Sequence, residues 1–146
     1  MELKRVVVTG IGALTPLGNN KEEYWDALAK GVSGAAPITR FDTEKFRTKF
    51  ACEVKGFDPL EFIDRKEARK MDPNTQYGMV TGDEAIKDAG LDLEKVNKDR
   101  IGVIWGSGIG GFTTFQNEVV GFGQGDGTPR FNPFFVPKMI LDITPG

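Results

Sequence analysis

The sequence predicts an α/β fold with parallel strand pairing. Three observations lead there. Two short β-branched runs, Arg5–Thr9 (RVVVT) and Ile101–Trp105 (IGVIW), read as buried strands. Two segments with helical spacing lie between them, each opened by a capping residue and closed by a glycine. The order strand, helix, strand is the one in which a helix crosses over between parallel strands.

The elements follow in order. Arg5–Thr9 ends at Gly10, and GIGALTPLG makes an irregular loop. Asn20 caps a helix, with Glu23 three residues on as an asparagine form of the capping box. Tyr24, Trp25, Leu28 and Ala29 share one face of that helix, and Gly31 stops it. Phe50–Val54 suggests a short strand and Asp58-Pro59 a turn. Arg65–Met71 reads as a short helix. Asp72 then caps a longer one, with Pro73 at its first position and Gly90 at its end. Tyr77, Val80, Glu84, Ala85, Ile86 and Ala89 give that helix its near-helical spacing. After Ile101–Trp105 and a glycine loop, Phe112–Val120 reads as helix and Gly121–Pro133 as a Gly/Pro-rich loop. Phe134–Ile143 is apolar and partly helical. The chain has no internal repeat.

Composition narrows the chemistry. The 146 residues carry a net charge of −2, which points to neither nucleic acid nor an anionic membrane as a partner. The 19 glycines are about twice average usage and sit among well-patterned segments, so they imply tight turns and close backbone approaches. A single cysteine, Cys52, excludes an intramolecular disulfide and suits a reducing, cytoplasmic setting. No apolar run has the length of a membrane span. The sequence contains no histidine, which removes Ser-His-Asp and Cys-His units and imidazole metal sites. No metal or cofactor is expected.

IGVIWGSGIGG contains a literal G-x-G-x-x-G at Gly106, Gly108 and Gly111. A dinucleotide site also needs an acidic residue ending the next strand about 20 residues on. Pro129–Phe135 supplies neither acid nor strand, and the earlier loop has Thr15 where a third glycine belongs. The nucleotide-binding reading is therefore set aside.

Five segments in order resemble the N-terminal part of the β-ketoacyl-[acyl-carrier-protein] synthases of the synthase II type: VVVTGIGALTPLGN (6–19), RKEARKMD (65–72), DEAIKDAGL (83–91), IGVIWGSGIGG (101–111) and NPFFVPKMI (132–140). The resemblance implies a thiolase-like fold in α-β-α-β-α layers, with only part of its N-terminal half in residues 1–146. It also implies a homodimer, and decarboxylative Claisen condensation of an acyl-enzyme with malonyl-ACP. The family's nucleophilic cysteine, two histidines and lysine match positions beyond Gly146, so no catalytic residue is expected in this chain. The chain should be inactive and poorly stable alone. A non-catalytic module that binds the carrier or interferes with dimerisation is the alternative.

Residue by residue, the resemblance assigns Lys66, Arg69 and Lys70 to docking of the acidic acyl carrier protein. By spacing alone they form one solvated helix face at i, i+3 and i+4. It assigns Ile109 to the acyl pocket as a chain-length gate, and Phe134 and Phe135 to the pocket as well. The residue matching Phe135 reaches across the dimer interface. By composition alone these three are core residues. Cys52 has Glu53 beside it and no histidine in the sequence to activate it, so it reads as a small buried apolar residue.

Overall fold

The computed structural model describes residues 3–146. Helix ends form where their signals stand. Helix α1 covers Lys21–Ala29, and the Asn20 side chain accepts the Glu23 N–H at 2.8 Å. The Glu23 carboxylate returns to the Asn19 N–H at 2.8 Å, one residue earlier than a reciprocal capping box would place it. At the other end Gly31 donates to Leu28 O and Val32 to Ala27 O, both at 3.0 Å, the paired bonds of a Schellman stop.

The expected apolar face of α1 is realised only at Tyr24. Trp25, Leu28 and Ala29 are exposed. Polar bonds hold this helix instead. Its first residue, Lys21, donates its N–H to Glu84 at 2.9 Å and its ammonium to Asp88.

Both expected long strands are corrected. Arg5–Thr9 and Ile101–Trp105 join no ladder among the described residues. A strand is stable only when a neighbour satisfies its backbone groups. Without one, Val6, Val8 and Ile104 stand 89%, 81% and 98% exposed. The sheet among the described residues is small and antiparallel: β1 (Ala35–Pro37) pairs with β2 (Phe50–Cys52), Ala36 opposite Ala51. The expected Phe50–Val54 strand is shorter than read: its pairing ends at Cys52, opposite Ala35, and the Glu53 side chain beyond it accepts the Thr39 hydroxyl at 2.7 Å. Cys52 is also corrected. It is exposed, since Phe50 and Cys52 share a strand face left open among the described residues.

Two compact units divide the chain. The first comprises the residues up to Phe57 with Thr81–Leu91. The second comprises Asp58–Val80 with Asp92–Gly146. Helix α3 (Pro73–Asp88) runs through the boundary in sequence.

In the first unit, the carboxylates of α3 grip the loop before α1. Glu84 accepts the Ala13 N–H at 2.7 Å, and Asp88 accepts the Ile11 N–H at 2.9 Å. Gly10 and Gly12 let this loop approach, because a side chain on either would overlap the α3 backbone at Ala85 and Thr81. Asp88 is held below the usual carboxylate range, chiefly by its bond to Lys21 and then by the Ile11 N–H.

In the second unit, α2 (Arg65–Ala68) begins at Asp64, which accepts the Lys66 N–H at 2.8 Å. A tight turn follows, with Lys70 N–H on Glu67 O at 2.9 Å. Asp72 then caps α3 through the Asn74 N–H at 3.1 Å. Thr75, Gly78 and Val80 form the buried face of α3 in this unit. Trp105 lies against Gly78, where an added Cβ would stand 3.0 Å from its ring. Helix α4 (Phe112–Gly123) runs three residues past the expected Val120, and α5 (Phe135–Met139) lies within the expected apolar segment.

Candidate functional site

The six residues that the resemblance assigns to a site, Lys66, Arg69, Lys70, Ile109, Phe134 and Phe135, all fall in the second unit. Around α2, four cations stand against one carboxylate between Arg65 and Lys70. All five side chains are exposed. Lys70 pairs with Glu67 at 2.7 Å across one helical turn. Arg65, Lys66 and Arg69 make no ion pair among the described residues, so the outward positive charge rests on these three. The turn is fixed from behind by Gln76, whose side-chain amide donates to Ala68 O at 3.0 Å.

The glycine loop Gly106–Gly111 has two unlike halves. At Gly106 and Gly108 an added Cβ would meet nothing within 4 Å. Gly110 and Gly111 are packed. A side chain on Gly110 would overlap Leu141, and one on Gly111 would lie 2.5 Å from both Lys138 O and Met139 Cα. Gly111 is left-handed, with φ 63°, and stands at the N-cap of α4 without a capping side chain of its own. Asp72 supplies the missing acceptor: its carboxylate takes the Thr114 N–H at 3.0 Å. Ile109 lies between the two halves and is 69% exposed, not core. Its carbonyl accepts the Ser107 hydroxyl at 3.2 Å.

Phe134 and Phe135 differ in environment. Phe135 is half-buried and stacks on Phe131, centroids 5.7 Å apart at 15°, and Phe131 in turn meets Phe122 of α4 at 5.5 Å. Phe134 is exposed. Asn132 sets up both, accepting the Phe134 N–H on its side chain and the Phe135 N–H on its carbonyl, each at 2.8 Å.

A surface groove of about 480 Å³ lies beside the end of α4, lined by Asn117, Glu118, Phe122, Asp126 and Arg130 among others. Its charges are already engaged. Glu118 accepts the Asn132 N–H at 3.0 Å, and Asp126 pairs with Arg130 at 3.3 Å. No cluster of metal-ligating side chains occurs among the described residues, and no helix there is long and apolar enough to cross a membrane. The link from Asp72 to Thr114 escaped sequence reading. Asp72 was legible as a helix cap, but no local spacing joins residues 42 positions apart.

The second unit presents two exposed features. It offers a cationic turn and a half-anchored loop bearing an exposed isoleucine. Comparison with known proteins places it. Residues 3–144 match the family model described as β-ketoacyl synthase, N-terminal domain. The chain is 48% identical over 98% of its length to 3-oxoacyl-[acyl-carrier-protein] synthase 2 of Staphylococcus aureus, and spans 34% of that protein. It is 42% identical over its whole length to the synthase of the same name from Synechocystis, of which it spans 35%. The chain thus spans about a third of the length of the curated relatives it matches. Among solved structures, a β-ketoacyl synthase from Burkholderia phymatum aligns with 98% of the chain at TM-score 0.73 and 26% identity, the chain covering 35% of it. The ishigamide ketosynthase/chain length factor aligns with 92% at TM-score 0.65 and 30% identity, 33% of it being covered. The thiolase-like α/β fold is therefore present in part, although Arg5–Thr9 and Ile101–Trp105 form no ladder here.

Proposed function

The chain belongs to the β-ketoacyl synthase family, in its N-terminal domain, and from that membership we propose that it forms the N-terminal portion of a synthase that elongates fatty acyl chains. In the reaction, an acyl group moves from carrier protein to an enzyme thiol. Malonyl-ACP loses CO2, and the resulting carbanion attacks the acyl thioester. The enzyme thiolate leaves, and 3-oxoacyl-ACP is the product. The observation that carries the proposal is 48% identity sustained along 98% of the chain.

This segment contributes recognition and not the reacting groups. It has no histidine, and its one thiol, Cys52, has Glu53 beside it and no imidazole in the sequence to activate it. Lys66, Arg69 and Lys70 dock the acidic carrier protein, where opposite charge speeds and orients a transient encounter. Ile109, Phe134 and Phe135 belong to the acyl pocket. Phe135 closes the pocket of the second subunit of a homodimer. The enzyme works in the cytoplasm, without a cofactor.

The test uses the full-length synthase that carries this segment. Purified enzyme should condense acyl-ACP with malonyl-ACP, and failure to do so refutes the function. Lys66→Glu combined with Arg69→Glu should weaken carrier binding by on the order of tenfold at low salt and flatten its salt dependence. Unchanged affinity at low salt would remove the docking assignment.

A further inference from the structure

Asp72 starts α3, but its carboxylate also serves a second helix. The residue is 3% exposed. One oxygen accepts the Asn74 N–H at 3.1 Å. The other accepts both the N–H and the hydroxyl of Thr114, at 3.0 and 2.7 Å. Thr114 lies in the first turn of α4, whose N-cap, Gly111, ends the loop that carries Ile109. The hydroxyl-to-carboxylate bond has the short length of a charge-assisted bond.

The glycines show what this bond holds. Gly110 and Gly111 are wedged against residues 138–141, while a Cβ added at Gly106 or Gly108 would meet nothing within 4 Å. The loop is thus packed directly at its α4 end, whereas on its other side the nearest packed residue is Trp105 against Gly78, four positions before Ile109. Ile109 is the first residue outside the anchored half. Its placement follows the start of α4, and the start of α4 is tied to Asp72.

We infer that Asp72 is a positioning residue for acyl-chain selection: through Thr114 it fixes where the loop presents Ile109. The inference rests on the synthase reading above. Asp72 itself touches no acyl chain. An asparagine at position 72 has one acceptor oxygen where the carboxylate has two, so either Thr114 or Asn74 loses its partner. Thr114→Val removes only the hydroxyl bond and leaves the α3 cap intact. Thr114→Ser restores the hydroxyl.

The experiment measures KM and kcat of the full-length synthase with octanoyl- to palmitoyl-ACP, and amide hydrogen exchange over Gly106–Gly111. Asp72→Asn and Thr114→Val should raise KM for the longest chain by about fivefold relative to the shortest, the factor expected for one lost hydrogen bond. In both, the loop should exchange faster, while kcat for the shortest chain stays unchanged. Thr114→Ser should behave as the unsubstituted enzyme. An unchanged chain-length profile with unchanged exchange overturns the inference. So does a loss equal for all chain lengths, the mark of a merely structural role. If the unsubstituted enzyme shows no condensation, the synthase reading fails instead, and loop exchange in Thr114→Val still decides whether the anchor exists.

Discussion

Gly111→Ala is the sharpest test of the anchored loop, because two separate costs meet at one residue. The first is conformational. Gly111 has φ 63°, and an L-residue in the left-handed region costs about 1–2 kcal/mol. The second is steric. The new methyl would sit 2.5 Å from Lys138 O and from Met139 Cα, both main-chain atoms that cannot rotate aside. Overpacking of that kind costs about 1–3 kcal/mol. The sum is about 2–5 kcal/mol, a large share of the roughly 5–15 kcal/mol that stabilises a typical domain. Gly127→Ala is the control in the same unit. Gly127 has φ 81° but nothing within 4 Å of an added Cβ, so only the conformational cost applies. Gly108→Ala should be close to neutral, since Gly108 has neither a left-handed φ nor a neighbour within 4 Å. Urea unfolding by circular dichroism gives the three midpoints, read at constant slope. The excess loss in Gly111→Ala over Gly127→Ala is the packing of the loop on residues 138–139. If Gly111→Ala is no worse than Gly127→Ala, the loop is not anchored there and Ile109 has no fixed placement.

Two further outcomes follow from the first unit. Asp88 is held below its ordinary value of 3.8 by Lys21 first and the Ile11 N–H second. Its stabilisation is therefore complete above about pH 4 and is lost as the pH falls through the lower folded value. Lys21 is raised above 10.5, chiefly by Asp88, so its share is complete below that value and is lost as the pH rises through the higher folded one. Thermal melts against pH should show both limbs in the unsubstituted chain and smaller ones in Asp88→Asn, the acid limb keeping the share of Glu53, Asp92 and Asp126, which are also held low; limbs of undiminished size in the variant rule out this pair as a contributor. Cys52, exposed on β2, should take one equivalent of a thiol-reactive dye in the native protein. Labelling that begins only in urea would show that its strand face is covered.

The features legible in the sequence are those whose physics closes within a turn or two. Asn20 and Asp72 cap helices by bonds that reach two or three residues ahead. Gly31 and Gly90 stop helices by bonds that reach a few residues back. Helical content was therefore readable almost element by element. Val6–Val8 and Ile101–Trp105 show where local reading stops. Their β-branched composition records fitness for a ladder, but pairing needs a neighbouring strand, and composition says nothing about which residues supply it. The same division runs through the candidate site. The glycine run around Ile109 is plain in the sequence, whereas its anchor joins Asp72 to Thr114 across 42 residues.

The cationic turn lies between these cases and shows how the structure refines a local pattern. Spacing puts Lys66, Arg69 and Lys70 on one face and treats them alike. The three are not equivalent, because Glu67 sits three residues before Lys70 and pairs with it. An exposed pair of this kind adds little stability, about 0–1 kcal/mol, but it cancels Lys70's charge as seen by an approaching partner. The unpaired charge that would meet an acidic carrier then lies on Lys66 and Arg69, with Arg65 beside them. Neutralising Lys66, Arg69 or Lys70 lowers the net charge of the turn by one, so the far field falls alike; they differ in that Lys66 and Arg69 make no ion pair among the described residues while Lys70 is held by Glu67. With one charge removed in each, carrier affinity at low salt should fall more for Lys66→Ala or Arg69→Ala than for Lys70→Ala, whose ammonium is already engaged by Glu67. The reverse order at low salt would mean that contact with Lys70, not the unpaired cations of the turn, governs docking.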